Sequence, residues 1–76
     1  MRRFEQIAAE QFKIPVEEVN DALTPKDIPD WDSMTHLLLI AELENEYTVT
    51  FTMDELLNAA SLGAIRTLLK NKGVAV

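Results

Sequence analysis

Apolar side chains recur at helical spacing in three stretches of this chain and alternate at strand-like spacing in one. Phe4, Ile7, Ala8 and Phe12 fall at i, i+3, i+4 and i+8, which predicts an amphipathic helix from about Arg3 to Phe12. Pro15 ends it, because the residue before a proline, Ile14, is pushed out of the α region. Pro15 to Val19 can form one further turn with both valines on one side, and Asn20-Asp21 then signals a break. From Asp21 to Trp31 the chain reads as a long loop restricted by Pro25 and Pro29, with Leu23 and Ile28 as its anchors.

The spacing predicts a second helix from about Ser33 to Glu46, with Asp32 as the N-cap whose carboxylate accepts from the first free N–H groups. Its apolar surface is wider than one core needs. Leu39, Ile40, Leu43 and Tyr47 make a coherent buried stripe, while Met34, Leu37, Leu38 and Ala41 lie on an adjoining face. If the first stripe packs inward, the second is at least partly left over, and an apolar strip rimmed by acids such as Glu42 marks a partner site. The alternative is that the bundle wraps further around this helix.

Thr48 to Thr52 alternates β-branched and polar residues, yet five residues without a pairing partner make no sheet. The segment is expected to be an extended link that inserts Val49 and Phe51. Thr52-Met53-Asp54-Glu55 is a capping box, which predicts a short helix from Met53 to about Asn58. Ser61 then caps a last helix in which Leu62, Ile65, Leu68 and Leu69 face the core, and Gly73 stops it. The expected fold is therefore all-α: a small four-helix bundle, three longer helices and one short, with a long loop between helices 1 and 2.

Seventy-six residues allow a single domain, residues 1–76, burying only about 60–65% of the surface its unfolded chain exposes. That leaves no room for a deep substrate cleft. With no cysteine the chain has neither a disulfide nor a thiolate of its own, which fits a reducing compartment and excludes a zinc–cysteine site. The basic opening Met1-Arg2-Arg3 is not followed by a long apolar stretch, so neither a secretory signal nor a membrane span is expected, and a cytoplasmic protein is. Net charge is −6, and residues 14–63 hold eleven acidic side chains against Lys26 alone, a local balance of −10. Such a field repels nucleic acid and steers basic protein surfaces inward.

Ser33 stands where the loop gives way to the second helix. A hydroxyl there sits beside unpaired backbone N–H groups and the positive end of the helix dipole, so a phosphodiester built on it gains about 0.3–1 kcal/mol per charge. Ser33 and His36 are three apart on one helical turn, but no glycine-rich elbow surrounds the serine and no second histidine is available, so a nucleophile and base pair is not supported. Asp27, Asp30 and Asp32 lack the glycine and terminal glutamate of an EF-hand, so no metal is expected. Glu42, Glu44 and Glu46 fan around the helix as a solvated acidic flank, and Trp31 reads as a loop anchor, with contact to a partner as the alternative.

The Asp32-Ser33-Met34 turn at mid-chain, followed by Leu37, Leu39, Ile40, Leu43 and Tyr47, resembles the acyl carrier protein family over the whole chain. That resemblance implies a non-catalytic carrier. A phosphopantetheinyl transferase would move a 4′-phosphopantetheine arm from coenzyme A to Ser33, and Asp32 would help orient the transferase and its magnesium. The arm would hold an acyl or aminoacyl group as a thioester, loaded by a ligase and passed to a downstream transferase or synthase. Met34, Leu37, Leu38, Ala41 and Glu42 would meet these partners, and the carrier would be a monomer. Pro29-Asp30-Trp31 stands where many fatty-acid carriers have Leu-Gly and one further residue, and Thr35 and Leu38 stand where they carry acids. The chain thus looks more like specialised freestanding carriers serving glycan, amino-acid or secondary-metabolite pathways. The competing expectation is a small acidic helical adaptor that binds a partner through the Met34, Leu37, Leu38 and Ala41 stripe and is never modified.

Overall fold

A computed structural model describes residues 3–76, so Met1 and Arg2 of the basic opening lie outside the described residues. Among the described residues, four α-helices follow one another: α1 (Phe4–Phe12), α2 (Ser33–Tyr47), α3 (Met53–Asn58) and α4 (Leu62–Asn71). A 3₁₀ turn at Val16–Glu18 interrupts the connection between α1 and α2. The all-α bundle with one long loop is the architecture the apolar spacing predicts.

α1 buries Phe4, Ile7, Ala8 and Phe12 as expected, and Ala9 with them. It stops at Lys13, which turns into the left-handed region (φ 58°, ψ 44°) and returns its N–H to the Ala9 carbonyl. The reversal is thus made two residues before Pro15. The two valines of the following turn part company: Val16 is 43% exposed, whereas Val19 packs against the core. The backbone leaves the 3₁₀ conformation at Val19 (ψ 123°), so the two side chains no longer share a side.

α2 runs one residue further than predicted and ends on Thr48, also left-handed at φ 54°. Leu39, Ile40 and Leu43 are buried to 3% exposure or less, and Tyr47 is half-buried against them. They meet Phe4, Ile7 and Phe12 of α1 and Leu62, Ile65 and Leu69 of α4 in one apolar cluster. Burying each such side chain contributes about 1.5–3 kcal/mol. The extended link inserts Phe51 fully and Val49 partly, and the Phe51 N–H donates to Glu44 Oε2 at 2.7 Å. Glu44 is therefore a tether of that link and not simply part of a solvated flank.

The long loop is tied down at both ends. At its start, two N–H groups that the first turn of α4 cannot pair internally donate to loop carbonyls, Leu62 to Leu23 at 3.1 Å and Gly63 to Asp21 at 3.0 Å. Ser61 Oγ takes a third, from Ala64, at 3.1 Å. Arg66 reinforces the junction: its Nε donates to Asp21 at 2.9 Å, its Nη2 to Glu5 at 3.3 Å, and its guanidinium lies 4.8 Å from the centre of the Phe4 ring. At its end, Ile28 and Trp31 enter the core, Trp31 against Phe12 with ring centres 4.7 Å apart. This fixes the position from which α2 starts.

Candidate functional site

Asp32 caps α2 through its side chain, which accepts the Thr35 N–H at 2.8 Å. That bond is the main cause holding the Asp32 carboxyl below its usual value of 3.8, so the group is ionised at neutral pH. Ser33, next in the chain, is exposed as the first residue of α2. Its hydroxyl thus stands in water at the positive end of a fifteen-residue helix, beside one fixed carboxylate.

A groove of about 630 Å³ opens beside it. Trp31, Ser33, His36 and Leu37 form one wall, and Met53, Leu56 and Leu57 of α3 form the other. Of the predicted partner residues, Leu37 alone joins Ser33 and Asp32 at this groove. Met34 at 71% and Leu38 at 52% are exposed beyond its rim with Ala41, and Glu42 is half-buried. The second stripe of α2 is thus left at the surface and not wrapped by the bundle.

Sequence reasoning did not join α3 to the apolar surface of α2. Met53 is 68% and Leu57 75% exposed, so the apolar surface of α2 continues across the groove onto the short helix. The signal was present, because Met53 and Leu57 are four apart and flanked by the capping box that locates α3. It also missed the role of His36. The indole Nε1–H of Trp31 donates to His36 Nδ1 at 3.0 Å, and His36 Nε2 lies 3.2 Å from the Leu56 carbonyl oxygen. Both ring nitrogens are engaged away from Ser33, which removes the histidine as a base for that hydroxyl. Asp27 turns its carboxylate to the Thr24 N–H and hydroxyl, and Asp32 turns to Thr35, so these two acids do not converge.

The profile of the family described as "phosphopantetheine attachment site" matches residues 2–69. The chain belongs to this family of phosphopantetheine-dependent carrier domains, the acyl carrier protein family, whose members carry the group covalently and are not catalysts. Among solved structures, 16 chains match. One, described as an acyl carrier protein from Mycobacterium tuberculosis, superposes with a TM-score of 0.78 at 19% identity, covering 92% of this chain and 99% of that one. At that identity the likeness is one of fold. No curated protein matches the chain.

Proposed function

We propose that Ser33 is the attachment point of the phosphopantetheine arm and that the chain, acting as a single domain in the cytoplasm, presents an acyl or aminoacyl group to successive enzymes. The observation that carries this reading is the exposed Ser33 hydroxyl at the start of α2, on the edge of an apolar groove. The residues fit the group. The helix N-terminus favours a phosphodiester, the serine is exposed among the described residues, and the groove supplies apolar surface within reach of whatever the arm bears. When bound, the arm supplies a thiol that holds cargo as a thioester.

The chain's own residues then orient and recognise. Asp32 fixes the turn on which Ser33 stands and gives a transferase and its magnesium an ionised carboxylate to approach. Met34, Leu37 and Leu38 of α2, with Met53 and Leu57 of α3, offer contact area to the transferase, the loading ligase and the downstream transferase or synthase. The acidic balance of residues 14–63 favours basic surfaces on those partners. The Trp-Asp-Ser turn with His36 points to a specialised pathway in preference to bulk fatty-acid synthesis.

Incubation with coenzyme A and a broadly active phosphopantetheinyl transferase, followed by intact mass measurement, tests the reading. One group is added to the wild type and none to Ser33→Ala, whose helicity is unchanged. Ser61 stays bare, since its hydroxyl already caps α4. Modification at Ser61, or of nothing, overturns the proposal and leaves an unmodified adaptor acting through the same exposed leucines and methionines.

A further inference from the structure

We infer that His36 is a positioning residue: as the neutral Nε2–H tautomer it joins the loop end before Ser33 to α3, and so sets both the turn presented to the modifying enzyme and the width of the groove. The inference builds on the assignment of Ser33. Three elements meet at this one ring. Trp31 closes the long loop, His36 stands one turn into α2, and Leu56 belongs to α3.

The donors and acceptors fix the tautomer. An indole N–H can only donate, so Nδ1 must carry a lone pair. A carbonyl oxygen can only accept, so Nε2 must carry the hydrogen. The other neutral tautomer would face N–H against N–H on one side and lone pair against lone pair on the other, and an imidazolium would lose the bond to Trp31. Trp31 is 4% exposed, so without Nδ1 its N–H would be left desolvated and unpaired.

α3 has few other holds. It is six residues long and has no buried residue of its own; Leu56 is its half-buried contact with the core. Its remaining ties are the Thr52 cap at its start and Glu55 bonded to Lys72 at 2.9 Å. The His36 bond adds a second hold on the carbonyl at its far end, whose other partner is the cap N–H of Ala59 at 3.4 Å. The two rings also lie nearly parallel, 6.0 Å apart at 21°, and Trp31 and His36 together line the wall of the groove.

The chain has one tryptophan and one histidine, so each gives a single side-chain signal. Nitrogen-15 NMR of the unmodified protein is expected to show His36 protonated at Nε2 and bare at Nδ1, with a scalar coupling from the Trp31 indole N–H into Nδ1. Trp31→Phe, which removes the donor, should shift the amide signals of Ser33, Leu56 and Leu57. It should also raise the KM for the carrier in the transferase reaction by about two- to tenfold, the size of one net hydrogen bond, with kcat held. A less populated competent turn lowers apparent affinity without changing the bound complex. His36→Leu should act through the same bond, so the double variant loses little more than His36→Leu alone. An Nδ1–H tautomer, amide shifts confined to residues next to position 31, or additive losses in the double variant would overturn the inference. A wild type that takes up no group would instead overturn the assignment of Ser33, while the tautomer and the amide shifts still decide the role of His36.

Discussion

Gly63→Ala sets two effects of similar size against each other at the junction of the loop and α4. A Cβ built on Gly63 would lie 3.0 Å from the Asp21 carbonyl oxygen and 3.1 Å from Asp21 Cβ. Alanine gains up to about 1 kcal/mol over glycine from helix propensity, less at this early position in the helix. Against it stand about 1–3 kcal/mol of overpacking and the distortion of a hydrogen bond worth about 0.5–1.5 kcal/mol, because the crowded oxygen is the one that accepts the Gly63 N–H. Asp21 cannot retreat freely, being held by Arg66 at 2.9 Å. The variant is therefore expected to lose about 1–2 kcal/mol, which in a domain of this size lowers the melting temperature by roughly 4–16 °C. Thermal and urea unfolding followed by circular dichroism would read this. Gly73 supplies the control, since it has no neighbour within 4 Å and is glycine for its φ of +89°. Asparagine, which tolerates that conformation, should do less harm than alanine at position 73 but no less at position 63. A Gly63→Ala protein as stable as the wild type would show that the loop yields and that glycine there is incidental.

Ile40→Ala or Leu43→Ala should cost about 2–4 kcal/mol, and Leu38→Ala, at 52% exposure, well under half of that; equal urea midpoints for all three would place Leu38 in the core. Thr48→Gly should raise stability by about 0.5–1 kcal/mol, because a β-branched residue at φ 54° is strained; a lower melting temperature would refute it. The Glu55 carboxyl lies below its usual 4.5, first through Lys72 and then through the Thr52 N–H, so its contribution is complete above that pH and is lost as the pH falls through the depressed value. Urea midpoints measured during acidification should therefore fall more steeply for the wild type than for Glu55→Gln, and parallel curves would contradict this. Leu37→Ala or Leu57→Ala should speed dissociation of the modified protein from its loading enzyme, whereas Glu42→Lys should slow association; unchanged kinetics in all three would move recognition elsewhere.

The four helices were legible because their signals are local: i, i+3, i+4 spacing, three side-chain caps at Asp32, Thr52 and Ser61, and prolines kept to the connections. The place of Ser33 at the exposed start of α2 was legible for the same reason, since it abuts a cap at the junction of loop and helix. What escaped depends on pairs distant in sequence. Nothing next to Gly63 in the chain announces that Asp21 lies against it, and His36, by its spacing a partly buried or surface helix residue, gives no sign of Leu56, twenty positions away, at its ring. Of the groove itself the α2 stripe announces only Leu37, while Met53 and Leu57 matter only once α3 folds beside it.

The shortness of α3 has a consequence for what the groove can admit. Local opening follows the element with the least buried surface, and α3, held by its Thr52 cap, the Glu55–Lys72 pair, the His36 bond and one half-buried leucine, is that element among the four helices. Its amides should exchange with solvent well before those of α1, α2 and α4, by excursions that leave the main core intact. One wall of the groove is thus rigid and carries Ser33, and the other is compliant. Under the proposed function, cargo lying in the groove would then be accommodated at different bulk by displacing a single turn and a half of helix, at a free-energy cost below that of unfolding the protein.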